Sequence, residues 1–315
     1  MRTPVRLVAF AAGLGLAFAA AVGVGNAVGP VGPAGGESGG HDYVHGGQTP
    51  GGTPAGAHGG HGAEGAGAAP VEGAEGVPGL AVSAEGYTLR LTSAEHPLGF
   101  PAPFSFTVLG PSGSPVTAYT PTHDKDLHLI VVRRDTTGFQ HLHPEQDGRG
   151  GWTTPLLLDR AGTYKVFADF APDGRTDAVT LAADVSVSGA YEPQPLPAVS
   201  RTAAVDDYVV TLTGDLVAGR ESALTLSVTR GGAPVADLEP YLAAYGHLVA
   251  LRDGDLGYLH VHPEGEPGDS RTPAGPDIPF LVDVPTPGDY RLYLNFQHEG
   301  QVRTAEFRSV AEEGS

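Results

Sequence analysis

From Leu80 onward, apolar and polar residues alternate along much of the chain. Tyr87-Thr88-Leu89-Arg90-Leu91-Thr92 and Phe104-Ser105-Phe106-Thr107-Val108 have period 2, as do Thr163 to Phe170 and Val179 to Val185. That period marks strands with one face buried, and no long stretch carries helical periodicity. Short strands punctuated by turns predict an antiparallel sandwich of about 100 residues. Between these runs, His128-Leu129-Ile130-Val131-Val132-Arg133 reads as a strand. A turn ending in Gly138 leads from it into Phe139-Gln140-His141-Leu142-His143-Pro144-Glu145. Strand, glycine-containing turn and strand predict a β-hairpin.

The pattern then repeats. Asp207 to Leu212 echoes Gly86 to Leu91, and Leu224, Leu226 and Val228 echo Phe104, Phe106 and Val108. His247-Leu248-Val249-Ala250-Leu251-Arg252 and Tyr258-Leu259-His260-Val261-His262-Pro263-Glu264 copy the hairpin at a shift of 119. Pro287 to Phe296 follows Ala161 to Phe170 at a shift of 126, the seven extra residues falling in the Gly/Pro-rich loop 265–279. The chain is therefore a tandem duplication of one β-domain. The predicted fold is all-β: two tandem Ig-like or cupredoxin-like antiparallel β-sandwiches at 79–189 and 200–311. Tyr191-Glu192-Pro193-Gln194-Pro195-Leu196-Pro197 lies between them and reads as an extended, stiff linker over 190–199, so the two sandwiches are expected to be separable by proteolysis.

Upstream the pattern is different. Arg2 and Arg6 flank the start of an uncharged apolar run from Leu7 to Val28. A basic start before an apolar segment is a secretory signal or an uncleaved anchor, and this run is long enough to span a bilayer. Residues 1–28 thus predict an extracytoplasmic protein, membrane-anchored or secreted. Residues 29–78 are dominated by Gly, Ala, Pro and Glu, with almost no large apolar side chains, the composition of a disordered tether. His41, His45, His58 and His61 sit in it.

Composition narrows the chemistry. The 315 residues include 47 glycines and 28 prolines, and the formal net charge is −18. That balance argues against nucleic acid as a partner. Cysteine is absent and the sole methionine is Met1. This excludes disulfides, thiolate metal sites, a blue-copper His₂Cys centre and a thioether Cu(I) site.

Histidines carry the strongest remaining signal. His128 precedes His141 by 13 and His143 by 15, and His247 stands at the same distances from His260 and His262. In a strand, residues i and i+2 share a face, so His141 and His143 point the same way. If Val132 pairs with Phe139, His128 lies opposite His143 with Cβ atoms about 5 Å apart. Over the two hairpins 8 of 18 positions are identical, all three histidines among them. Three imidazoles suit a divalent copper or zinc ion, with copper favoured by the affinity order. The expected ligand sets are His128, His141 and His143 for one ion and His247, His260 and His262 for another, each within its own repeat. His123, Asp124 and Asp126 are candidates to add ligands in the first copy, where the second has Leu242, Ala243 and Tyr245. The competing reading is that the histidines pair with each other or with backbone and only fix the hairpins.

Other residues read as structural. Trp152 is expected in a core, Tyr164 and Tyr290 at sandwich corners, and His96 and His298 in surface loops. No Ser/His/Asp order, phosphate loop or paired carboxylates stand out, and no enzymatic activity is expected.

The duplicated His…His-x-His-Pro-Glu hairpins and the ending Pro285 to Gln297 resemble a group of actinobacterial secreted or membrane-anchored proteins. More distantly, the domains are similar to YtkA-like and cupredoxin-like extracytoplasmic sandwiches, a resemblance that implies copper handling. His260-Val261-His262 is similar to the strand motif of copper/zinc superoxide dismutase, but that family's disulfide cysteines are missing, so dismutase activity is not implied. The resulting expectation is a non-catalytic, extracytoplasmic metal-binding protein. The alternative is a metal-free structural or interaction module of two sandwiches.

Overall fold

The computed structural model describes residues 77–175, 177–259 and 261–314, leaving aside the side chain of His262. The apolar segment 1–28, the tether through residue 76 and His260 lie outside the described residues. Among the described residues no helix is long and apolar enough to cross a membrane.

Each repeat is a sandwich of two sheets, and the all-β expectation holds. The first repeat comprises β1 (Ser83–Ala84), β2 (Tyr87–Leu91), β3 (Ala102–Leu109), β4 (Tyr119–Thr120) and β5 (His128–Arg133). It continues with β6 (Gln140–Leu142), β7 (Glu145–Gln146), β8 (Gly151–Leu156), β9 (Gly162–Pro172) and β10 (Val179–Val187). One sheet runs β1-β2-β3-β8-β7 and the other β10-β9-β5-β6, with β4 on β9.

The second repeat comprises β11 (Thr202–Val205), β12 (Tyr208–Thr213), β13 (Leu216–Val217), β14 (Arg220–Arg230), β15 (Ala233–Pro234) and β16 (Gly246–Arg252). Then follow β17 (Tyr258–Leu259), β18 (Val261–Pro263), β19 (Asp277–Val284), β20 (Gly288–His298) and β21 (Gln301–Glu312). Its sheets run β11-β12-β14-β19-β18, with β15 on β14, and β13-β21-β20-β16-β17.

The alternating residues fill one core per repeat. Phe104, Phe106, Val108, Leu129, Val131 and Trp152 are buried in the first, and Leu224, Leu226, Val228, Leu248, Ala250 and Phe280 in the second. Trp152 stacks on Phe106, and its Nε1 donates to Tyr119 Oη at 3.2 Å. Tyr164 and Tyr290 donate their hydroxyls to the carbonyls of Arg160 and Thr286, four residues upstream, at 3.0 and 2.7 Å. These are tyrosine corners of the kind found in immunoglobulin-type sandwiches.

Two histidines expected in surface loops are buried. His96 Nε2 bonds the Leu156 carbonyl at 2.8 Å. His298 ends β20 between the Tyr208 hydroxyl at 2.7 Å and Asp237 at 3.1 Å. Both partners lie 60 or more residues away in sequence, so local context carried no sign of them.

The larger departure concerns the relation of the repeats. Every residue of β5 is buried, because both faces of the strand are covered. Leu129 and Val131 face their own core, while Ile130 and Val132 join Phe167, Ala182, Val249, Leu251, Leu256 and Tyr293 in a third apolar cluster. That cluster lies between the β10-β9-β5-β6 sheet of one repeat and the β20-β16-β17 strands of the other. It obeys an approximate two-fold relation. Phe139 stacks on Tyr293 with centroids 4.1 Å apart, and Tyr258, the counterpart of Phe139, meets Phe167, the counterpart of Tyr293, at 5.6 Å. Tyr293 Oη donates to the Thr136 carbonyl, and Lys165 Nζ donates to the carbonyl of Asp255, the counterpart of Thr136. Such self-complementary contacts are those of an isologous dimer interface.

Full burial of one such side chain contributes roughly 1.5–3 kcal/mol, so a cluster of this size binds the repeats into one unit. Nor does the proline-rich segment act as a free spacer. Tyr191 covers Arg133, Gln194 N donates to Asp135 Oδ2 at 2.8 Å, and Arg308 donates to the Pro197 carbonyl at 3.0 Å. On the other side, Tyr258 N donates to the Pro78 carbonyl and Gly79 N to the Thr180 carbonyl, strapping the two repeats together. Gly79 has φ +70°, and a Cβ there would lie 2.7 Å from Phe167 and 2.9 Å from Tyr258, so only glycine fits.

Candidate metal centre

The hairpin of the first repeat forms in the expected register. Leu129 pairs with Leu142, Ile130 with His141 and Val131 with Gln140, which aligns His128 with His143. The three histidines converge: among the described residues, His128, His141 and His143 form the one group of potential ligands able to hold an ion, with ligand atoms all within 4.8 Å of one another. His128 Nδ1 stands 3.0 Å from His141 Nε2 and 3.2 Å from His143 Nε2. Nitrogens about 2.0–2.1 Å from a tetrahedral ion lie roughly 3.3 Å apart, so these spacings fit one ion.

The outer nitrogens are oriented by acceptors. His128 Nε2 lies 2.9 Å from the Thr122 carbonyl, which can only accept, so the hydrogen of His128 is on Nε2. Asn295 Nδ2 donates to Thr304 Oγ1 at 2.8 Å, leaving Asn295 Oδ1 to accept from His141 Nδ1 at 3.0 Å. Both inward nitrogens, His128 Nδ1 and His141 Nε2, therefore carry lone pairs. At 3.0 Å they share no hydrogen. Histidines that ligate metals characteristically give their other N–H to a carbonyl or carboxylate in this way.

A tight turn supplies the first acceptor. Thr122 and Lys125 exchange backbone hydrogen bonds across His123 and Asp124, at φ 51° and 60°. The second repeat uses the same turn, Tyr241 to Ala244, with Leu242 and Ala243 at φ 54° and 58°. Positive φ at both central residues is the type I′ signature. Aspartate tolerates it readily and leucine does not, so the second turn is held by its surroundings. Its Tyr241 carbonyl bonds His247 Nε2 at 2.8 Å, reproducing the Thr122–His128 contact.

Burial keeps these imidazoles neutral. Desolvation lowers the pKa of His128, pushes that of His141 well below the ordinary histidine range, and brings His143 to about 3 and His247 to about 4. Neighbouring histidines add to the depression at His141, His143 and His247. Neutral imidazole is the form that binds metal.

The remaining expected residues fall into place around this trio. His247 comes to it from the other repeat, with ring centroids 6.0 Å from His141, 6.4 Å from His128 and 5.0 Å from His123. Among the described residues, His247 thus stands near the trio of the first repeat as well as heading its own expected set. His260 and the side chain of His262 lie outside the described residues. Asp124 and Asp126 are exposed, and neither they nor His123 belong to the ion-sized group. Glu145 is exposed and pairs with Thr153 in the opposite sheet. A cavity of about 400 Å³ opens between the repeats, lined in part by His123, His128, His141, Asp169 and His247. Sequence reasoning missed Asn295; its one signal is a polar residue interrupting the apolar run Leu292-Tyr293-Leu294-Asn295-Phe296, on the face that it shares with Tyr293.

No curated protein matches the chain. Among solved structures it is similar to the Escherichia coli adhesin FdeC, at 14% identity over 75% of this chain and 66% of that one, with a TM-score of 0.23. It is also similar to the bacterial integrin-binding protein invasin, at 10% identity over 74% of this chain and 41% of that one, TM-score 0.21. The titin domains z1z2 solved with telethonin give 16% identity over 73% of this chain and 98% of that one, TM-score 0.18. The chain spans under two thirds of the FdeC and invasin structures. The family model described as Domain of unknown function (DUF8832) matches residues 82–187 and again residues 203–313, one copy per repeat, and the chain belongs to that family.

Proposed function

We propose that the protein is an extracytoplasmic, non-catalytic binder of divalent copper or zinc, and that His128 Nδ1, His141 Nε2 and His143 Nε2 hold one ion. The observation that carries this reading is the 3.0 Å approach of His128 Nδ1 to His141 Nε2, while their outer ring nitrogens face the Thr122 carbonyl and Asn295 Oδ1; the two inward lone pairs inferred from it repel. A proton would relieve the repulsion, but burial disfavours an imidazolium there. A divalent cation would offset its own desolvation by accepting the lone pairs of several imidazoles at once. The extracytoplasmic location rests on the basic and apolar pattern of residues 1–28. The second expected set, His247, His260 and His262, remains a proposal for a further ion and is distinguished by stoichiometry. Absence of turnover is proposed because Glu145, the acid-base candidate nearest the first set in sequence, is exposed and pairs in the opposite sheet.

The test is an equilibrium titration of Cu²⁺ and Zn²⁺ at pH 7.5 into the full chain and into the His128→Ala/His141→Ala/His143→Ala variant. The tether histidines are present in both and cancel. Loss of at least one equivalent in the variant supports the reading, and identical uptake removes it. The metal-free reading draws on a specific contact, the bond from His141 to Asn295 across the repeats. It predicts that His141→Ala lowers thermal stability and leaves uptake unchanged.

A further inference from the structure

We infer that Asn295 is a positioning residue for the ion, so that the second repeat sets the affinity of a site whose ligands all come from the first. The inference rests on the metal-binding reading above and extends it to residues outside the ligand set.

Three observations lead to it. His141 is 154 residues from Asn295 in sequence, and their 3.0 Å bond is a polar contact that ties the histidine trio to the second repeat. Asn295 is buried on β20, where its backbone pairs with His247 and with Thr304. Its amide is fixed at both ends, Nδ2 on Thr304 Oγ1 and Oδ1 on His141 Nδ1. The side chain thereby selects the His141 tautomer that turns Nε2 inward. Without an acceptor at Oδ1, the ring loses the contact that holds its hydrogen on the outer nitrogen. Removing such an outer partner typically costs 10–100-fold in metal affinity.

The duplication supplies a natural control. Asp169 occupies the position of Asn295 at the shift of 126. Its cross-strand partner is Thr180, whose Oγ1 donates to Asp169 Oδ1 at 2.9 Å, just as Asn295 is opposite Thr304. This fold therefore already accommodates a carboxylate at that position, beside a threonine. A carboxylate accepts from His141 Nδ1–H at least as well as an amide oxygen does, and the charge raises the basicity of Nε2. Asn295→Asp is thus the conservative replacement for the positioning role, although it is not conservative in charge.

The experiment measures Zn²⁺ affinity by competition with a chromophoric chelator for the full chain, Asn295→Ala and Asn295→Asp, with thermal unfolding of each metal-free protein alongside. The expected result is a 10–100-fold loss for Asn295→Ala and an affinity equal to or tighter than the parent for Asn295→Asp. If both variants lose stability yet keep parental affinity, Asn295 serves only to join the repeats and the inference fails. Loss of affinity in both variants also overturns it, because acceptance from His141 would then not be the property that matters. If the parent itself binds no more Zn²⁺ than the triple histidine variant, it is the metal-binding reading that fails.

Discussion

Leu142 and Val261 occupy the same place in the two copies of one motif, yet they belong to different sheets. Leu142 pairs with Leu129, so β6 stays beside β5 through Leu142. Val261 pairs with Val282 on β19, because β17 leaves β16 after Leu259 and the chain has crossed to the opposite sheet by Val261. In the first repeat that crossing comes later, with Glu145 the first residue on β8. The residues that receive β18, Phe280 to Val282, have counterparts in β8, Thr154 to Leu156 at the shift of 126, so the length of the receiving strand does not explain the earlier crossing. Identical spacing in the sequence therefore does not guarantee identical strand pairing.

The most disruptive way to probe the relation between the repeats is at their junction. Tyr293→Ala and its counterpart Phe167→Ala each remove a fully buried ring from the shared cluster. Each is expected to cost about 3–5 kcal/mol in denaturant unfolding. If the two-fold relation governs the interface, the two costs agree closely. A loss at one position and none at the other would show that one repeat carries the contact alone.

Next in size is the contrast between matched histidines. His128→Ala is expected to weaken uptake of the ion assigned to the trio at least 100-fold, on the scale of losing one of three ligands. His247→Ala should weaken the same ion by less than about 10-fold, since His247 is outside the ion-sized group while its ring contacts the trio. Equal losses, read by competition titration, would make His247 a fourth ligand and the site a symmetric one.

Acid is expected to act through the same imidazoles. The folded pKa values of His143 and His247, about 3 and about 4, lie below the unfolded value near 6.5. The unfolded chain then binds more protons between those limits, so stability falls as pH drops. The metal-free protein should hold its denaturant midpoint above pH 6.5 and lose it progressively from 6.5 toward 4. A midpoint that rises over this interval would mean the imidazoles are charged in the folded protein. For the same reason, ion uptake should persist below pH 6.5, where exposed histidines have already protonated.

The smallest change is Tyr293→Phe, which keeps the ring and removes only the 2.7 Å bond to the Thr136 carbonyl. About 0.5–1.5 kcal/mol is expected.

Much of this was legible in the sequence, for identifiable reasons. Period 2, turn chemistry and the shift of 119 are local or internal, so the strands, the duplication and the His128–His143 register could be read directly. The junction left a sign that the alternation rule passes over: Leu129 to Val132 and Leu248 to Leu251 are unbroken apolar runs, the pattern of strands covered on both faces. A strand exposed on one face would have alternated. Asn295, His96 and His298 were not legible, because each is defined by a partner brought in by tertiary packing. Nor could spacing reveal that Val261 would pair on β19, which depends on a strand that begins after a loop of unpatterned sequence.

The central claim is that three named nitrogens meet one ion, and imidazole ¹H–¹⁵N correlation spectra of the full chain during Zn²⁺ addition test it most directly. In the metal-free protein His128 should show the Nε2–H tautomer and His141 the Nδ1–H tautomer. On the first equivalent of Zn²⁺, His128 Nδ1, His141 Nε2 and His143 Nε2 should shift together in slow exchange. Shifts confined to His41, His45, His58 and His61, with the trio unchanged, would contradict the account.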